Sequence, residues 1–173
     1  ADWRQFRGPG GQGASTDRGL PLTWSDKENI LWKTELPGCG ASSPIALGDR
    51  LYITCYSGYG SETESPGTMA DLKLHVVCLS DSGKIIWNQF VAPKLPETEQ
   101  VRDHGYAAPT PVTDGQHLYV FFGKTGVLKF DLDGNQLWQT SVGDKLNSWG
   151  CGTSPILFQN LVIVNASVES NSL

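Results

Sequence analysis

Three short stretches hold side chains that chemistry can use. The densest is Arg102-Asp103-His104-Gly105-Tyr106, which sets a cation, an imidazole and a phenol within five residues. Such a group suits contact with an anionic or hydrogen-bonding ligand through Arg102, His104 or Tyr106. It equally suits a loop in which Arg102 and Asp103 pair locally while Tyr106 packs, and both readings stand on sequence alone. Trp149-Gly150-Cys151-Gly152 and Pro37-Gly38-Cys39-Gly40 each set a cysteine between glycines, and Trp149 adds an indole that a ligand can stack on. Cys39, Cys55, Cys78 and Cys151 are widely spaced with no C-x-x-C pair, so they read as small apolar fillers rather than metal ligands. No serine stands in a G-x-S-x-G setting, and neither His75 nor His117 has a metal-ligand companion at helical or hairpin spacing. Arg7-Gly8-Pro9-Gly10-Gly11-Gln12-Gly13 is rich in glycine. It has no strand before it or helix after it, the context in which backbone N–H groups cradle a phosphate. No catalytic, cofactor-binding or metal residue is expected.

The elements that position these residues are legible in internal repeats. Asn29-Ile30-Leu31-Trp32-Lys33, Gly83-Lys84-Ile85-Ile86-Trp87-Asn88 and Gly134-Asn135-Gln136-Leu137-Trp138-Gln139 share one pattern. Ser42-Ser43-Pro44-Ile45, Ala107-Ala108-Pro109-Thr110 and Thr153-Ser154-Pro155-Ile156 share a second that interleaves with it, each followed by a turn and an apolar strand. Each period therefore holds four short strands. Tight turns at Ser80-Asp81-Ser82-Gly83 and Leu132-Asp133-Gly134-Asn135 join the third strand to the one carrying the tryptophan. Four antiparallel strands recurring with turn signals predict an all-β chain of β-propeller blades. Identical placement in successive units predicts that Trp32, Trp87 and Trp138 are blade-docking residues rather than a ligand-stacking set.

Composition agrees and excludes other classes. Of 173 residues, 20 are glycine, 10 proline and six tryptophan, too many breakers for a helical bundle and too many aromatics for a disordered chain. A net charge of -5 without a basic cluster makes a poor nucleic-acid binder, and no apolar run is long enough to span a membrane.

The units Leu79-Ser80-Asp81-Ser82-Gly83-Lys84-Ile85-Ile86-Trp87 and Phe130-Asp131-Leu132-Asp133-Gly134-Asn135-Gln136-Leu137-Trp138 resemble the PQQ-like (quinoprotein-type) propeller repeat. The opening Trp3-Arg4-Gln5-Phe6-Arg7-Gly8-Pro9 is similar to the start of secreted bacterial members. The expected organisation is an extended arm over 1–28, a closing strand at 29–35 that completes another blade, blades at 42–90 and 107–141, and a partial blade at 153–173. About two and a half blades cannot close a ring, so further blades from a longer chain or another subunit are expected. All long insertions (57–71, 91–106 and 143–152) fall on one face, mildly acidic through Glu62, Glu64 and Asp71, and loops clustered on a rigid scaffold carry binding. Arg102, His104, Tyr106 and Trp149 are the expected ligand contacts there.

The resemblance implies a non-catalytic scaffold that binds a protein, peptide or saccharide, a class that includes outer-membrane assembly factors. The alternative it implies is a dehydrogenase using PQQ and Ca²⁺. That enzyme has adjacent cysteines and a carboxylate-rich Ca²⁺ site, neither of which is seen here. The resemblance and the absence of an initiator Met before Ala1 set the expectation of an extracytoplasmic protein, periplasmic or secreted.

Overall fold

Runs of β-branched and aromatic residues punctuated by glycine turns build two sheets with the same internal order. A computed structural model describes residues 2–61, 65–99, 101 and 104–170. The first sheet joins β1 (Ile45–Leu47), β2 (Arg50–Ser57), β3 (Lys73–Ser80) and β4 (Ile85–Val91) in the order β1-β2-β3-β4. The second repeats it with β5 (Val112–Thr113), β6 (His117–Phe121), β7 (Val127–Asp131) and β8 (Gln136–Thr140). β9 (Ile156–Phe158) and β10 (Leu161–Ile163) pair as the start of a third. All pairings are antiparallel. The chain is a partial β-propeller with no closed ring among the described residues. None of their helices is long and apolar enough to cross a membrane.

The two full blades share a local device. The ladder slips by one residue between Cys78 and Leu79, and again between Lys129 and Phe130, each time beside the strand that carries the tryptophan. The following turns need glycine in the left-handed region, with φ of 80° at Gly83 and 90° at Gly134. Between the blades lies one core. Ile45, Tyr52, Leu74, Val76 and Cys78 of the first meet Leu118, Val120, Leu128 and Phe130 of the second.

Trp32 and Trp87 each cross to the next unit. Trp32 Nε1 donates to the Asp81 carbonyl at 2.7 Å, and a Cβ at Gly83 would sit 2.5 Å from its ring. Trp87 repeats this one blade on. It donates to the Leu132 carbonyl at 3.1 Å and lies over Gly134, where a Cβ would come within 2.9 Å. The Arg50 guanidinium donates to the same Leu132 carbonyl at 2.6 Å. No hairpin turn covers Trp138 among the described residues, and it is 38% exposed. Residues 29–35 form no strand, because a ladder needs a partner for its N–H and C=O groups and none lies beside them among the described residues. Trp32 and the Thr34 hydroxyl, which donates to the Gly83 carbonyl, tie this segment to the first blade instead.

The inner strands touch in series. The Ser43 N–H donates to Thr110 Oγ1 and the Thr110 N–H donates to Ser154 Oγ, both at 2.9 Å. The arm lies along their free edges. Trp3 exchanges two 2.8 Å backbone hydrogen bonds with Ala46 on β1, the Thr113 N–H of β5 donates to the Arg4 carbonyl, and Phe6 shares a groove with Ser154 and Ile156. Residues 2–6 thus step across three successive inner edges, at the end where the short turns lie: the Gly48 N–H donates to Asp2 Oδ1. Gly8, buried with φ 65° and ψ −153°, allows this path. A Cβ there would lie 2.5 Å from the Trp3 indole. Gly8→Ala is therefore expected to release the arm while leaving the blades folded. Limited proteolysis should cut near residue 8 in the variant at conditions that spare the wild type, with unchanged far-ultraviolet circular dichroism.

Candidate functional site

The end opposite the short turns is built from the long connections: 58–72 between β2 and β3, 92–111 between the blades, and 141–155 leading to β9. They are knitted into one surface. The Tyr59 hydroxyl donates to the Glu99 carbonyl at 3.0 Å, and the Thr98 hydroxyl donates to the Asn147 carbonyl at 3.2 Å. The Lys145 N–H donates to the Glu169 carbonyl at 3.1 Å. The Lys124 ammonium, on the turn between β6 and β7, donates to the Pro96 carbonyl.

Of the expected contacts, Arg102 lies outside the described residues, as do Glu62 and Glu64 of the acidic stretch. Tyr106 is half-buried and packs edge-on against Tyr56, with centroids 5.2 Å apart, while its hydroxyl donates to the Thr98 carbonyl. Burial pushes its phenol well above the ordinary range. Tyr106 thus braces the loop from within. His104 lies against Gly150, where a Cβ would be 3.4 Å from Nε2, and that buried nitrogen has no hydrogen-bond partner among the described residues. Trp149 is 59% exposed at the surface, and Leu95 and Leu146 are also exposed on these loops. His104 and Trp149 therefore flank Gly150 from two different loops, and Tyr106 stands behind them.

A polar cavity of about 30 Å³ lies among these loops, and sequence reasoning missed the residues that define it. Glu97, Lys124, Cys151 and Glu169 line it, with apolar walls from Leu74, Val101, Phe122 and Leu146. Glu169 is 3% exposed and Lys124 6% exposed. Burial pushes the Glu97 carboxyl up to about 7, against the pull of Lys124, and raises Glu169 as well. The Cys151 thiol abuts the Glu169 carboxyl and is pushed up to about 12 by burial and by that charge, so it is held as an unreactive thiol at neutral pH. The one usable signal was Lys124 itself, a lone cation in a glycine-bounded turn between two apolar strands. Glu97 and Glu169 come from distant loops and carry no motif.

Other clusters serve the scaffold. Ser57 Oγ lies 2.8 Å from His75 Nε2, and His75 Nδ1 lies 3.2 Å from Asn88 Oδ1, a relay that crosses β2, β3 and β4. Desolvation holds His75 below its ordinary value, and the neutral ring ties the three strands together. Asp114 caps the turn before β6, accepting from the Gln116 and His117 N–H groups at 2.7 and 2.6 Å, and these bonds hold it down near 2. Cys39, Cys55, Cys78 and Cys151 are all free; Cys55 and Cys78 are buried, whereas Cys39 is exposed.

The family model described as outer membrane protein assembly factor BamB matches residues 63–170, which take in both hairpin repeats and the cavity. The chain belongs to that family. No curated protein matches it. The BamB-type repeat accounts for the recurrence of the four-stranded blade, while the site is made by the long connections between repeats. A calcium site would need oxygen donors converging six to eight at a time, as a rough count. Among the described residues no group of three or more His, Cys, Asp or Glu side chains comes together to hold a metal. The two carboxylates that do approach each other share their cavity with an ammonium.

Proposed function

We propose that this chain is part of a non-catalytic scaffold that binds segments of other proteins, outside the cytoplasm, at its long-loop end. The observation that carries the reading is the surface itself: three long connections, cross-linked by hydrogen bonds into a fixed platform, present Leu95, Leu146 and Trp149 to solvent. Exposed apolar and aromatic groups on a rigid frame are what a protein contact uses, because a few buried anchors, Trp above all, supply most of the energy of such interfaces. The family description, an assembly factor of the outer membrane, supports both a protein partner and an extracytoplasmic setting. The short-turn end carries the arm instead.

The test uses the full chain and a panel of extended peptides with alternating apolar residues, read by chemical-shift mapping. Perturbations should collect on residues 58–72, 92–106 and 141–152, and Trp149→Ala should weaken binding by about tenfold, as expected of an aromatic anchor. Shifts centred on the short turns, or stoichiometric binding of PQQ with Ca²⁺ and a quinone absorbance, would overturn the reading.

A further inference from the structure

We propose that the cavity between the 92–106 loop and the third blade is a receptor for one primary ammonium group on an unbranched alkyl stem, the lysine side chain of a bound protein segment. The inference rests on the scaffold reading for its partner and on the cavity alone for its chemistry.

Four observations carry it. Glu169 Oε2 is buried without a hydrogen-bond partner among the described residues, on a residue only 3% exposed. A buried carboxylate oxygen left unpaired costs about 1–3 kcal/mol or more, so a donor is called for. The adjoining space, about 30 Å³, exceeds the roughly 10–15 Å³ that a single water-sized group requires, and an ammonium group is of that size. Charge then selects among such groups. With Glu97 and Glu169 ionised, the buried Lys124 cancels one of two negative charges, while Lys145, which also lines the cavity, is exposed and screened by solvent; the charge left inside suits a monovalent cation and not a divalent one. The walls decide the rest. Val101, Leu146 and Phe122 give an apolar sleeve in which methylenes lose contact with water while the charged head reaches the carboxylates. The exposed side of the sleeve is Leu146, three residues from Trp149, so a segment lying on the proposed platform passes over the opening.

The titratable groups around Glu97 among the described residues are Lys124 on the β6–β7 turn, Glu169 after β10, Lys145 and the neutral Cys151 thiol on the 141–155 connection, and the neutral Tyr106 phenol on its own loop. Burial holds Glu97 near 7, and the ammonium needs it ionised. Affinity should therefore rise about tenfold between pH 6 and pH 8, the change in the ionised fraction of such a group.

Calorimetry on the full chain tests this with n-butylammonium, with n-butanol as the neutral counterpart, and with a peptide holding a single lysine beside its Nε-acetylated form. Butylammonium should bind and compete with the lysine peptide, butanol should not, and acetylation should weaken the peptide at least tenfold. Glu169→Gln should weaken butylammonium at least tenfold. Glu97→Gln, which keeps the side-chain volume, should reduce the pH dependence to the part Glu169 supplies and guards against a Glu169 variant that fails to fold. Equal behaviour of butylammonium and butanol, or an unchanged affinity in both variants, would show that only water occupies the cavity. If the two peptides bind equally well and map to the long loops, the ammonium site falls while the scaffold stands. If butylammonium binds and neither peptide does, the cavity chemistry stands and the scaffold reading fails.

Discussion

Trp87→Ala is expected to lower the unfolding free energy of the full chain by about 3 kcal/mol, in the range found when large aromatic side chains are removed from packed sites. The indole contributes in three ways. It covers Gly134, it donates to the Leu132 carbonyl, and it packs on Tyr52 with centroids 5.9 Å apart. Its loss leaves the carbonyl shared with Arg50 half satisfied and opens a void between the first blade and the hairpin of the second. Trp138→Ala is the control. That ring is 38% exposed and meets Tyr119 of its own blade at 6.2 Å, so its removal should cost less than about 1 kcal/mol, as for an exposed side chain. Denaturant unfolding of both variants gives the comparison, and equal losses would contradict the crossing of Trp87 between blades.

The second large effect is a fall in stability with rising pH. Glu97 is held near 7 in the folded chain against an ordinary 4.5. Between those values the folded chain keeps a proton that the unfolded chain releases. The contribution is thus fully present below 4.5 and is lost as the pH rises through about 7, by about 3 kcal/mol for a shift of that size. Glu169, also raised by burial, acts in the same direction. His75, held below its ordinary value of 6.5, acts in the opposite one and gains stability as the pH rises. Asp114, Asp2 and Asp131 are held low by their hydrogen bonds and change below about 4. Unfolding at pH 5 and pH 8 for wild type and Glu97→Gln separates these. The difference between the two proteins should shift by about 3 kcal/mol across that interval, and no shift would mean that Glu97 is solvated.

The fold class was legible because its signals are local and repeated: turn glycines at fixed offsets, an indole four residues after each, and an apolar strand after each proline. The inner strands are shorter than the pattern suggests. β5 is only Val112–Thr113, because Pro109 and Pro111 have no N–H to place in a ladder, and β1 and β9 likewise begin just after Pro44 and Pro155. The candidate site was legible only at its rim. His104, Tyr106 and Trp149 drew notice by their chemistry, yet Tyr106 proved a brace. Glu97, Lys124 and Glu169 escaped notice because three connections separated by whole strands bring them together, a juxtaposition that no spacing encodes.

The arm has a consequence for the order of events during synthesis. Residues 2–6 leave the ribosome before either blade, yet their hydrogen-bonding partners are residues 46 and 113. Trp3 can pair once β1 exists, but the Arg4 carbonyl has no partner until Thr113 is made. Until the arm seats, β1 and β5 present bare edges, the feature by which sheets recruit foreign strands and aggregate. The arm is therefore the guard of those edges and seats fully only once β5 is made, so a nascent chain that stalls before Thr113 would be the vulnerable species.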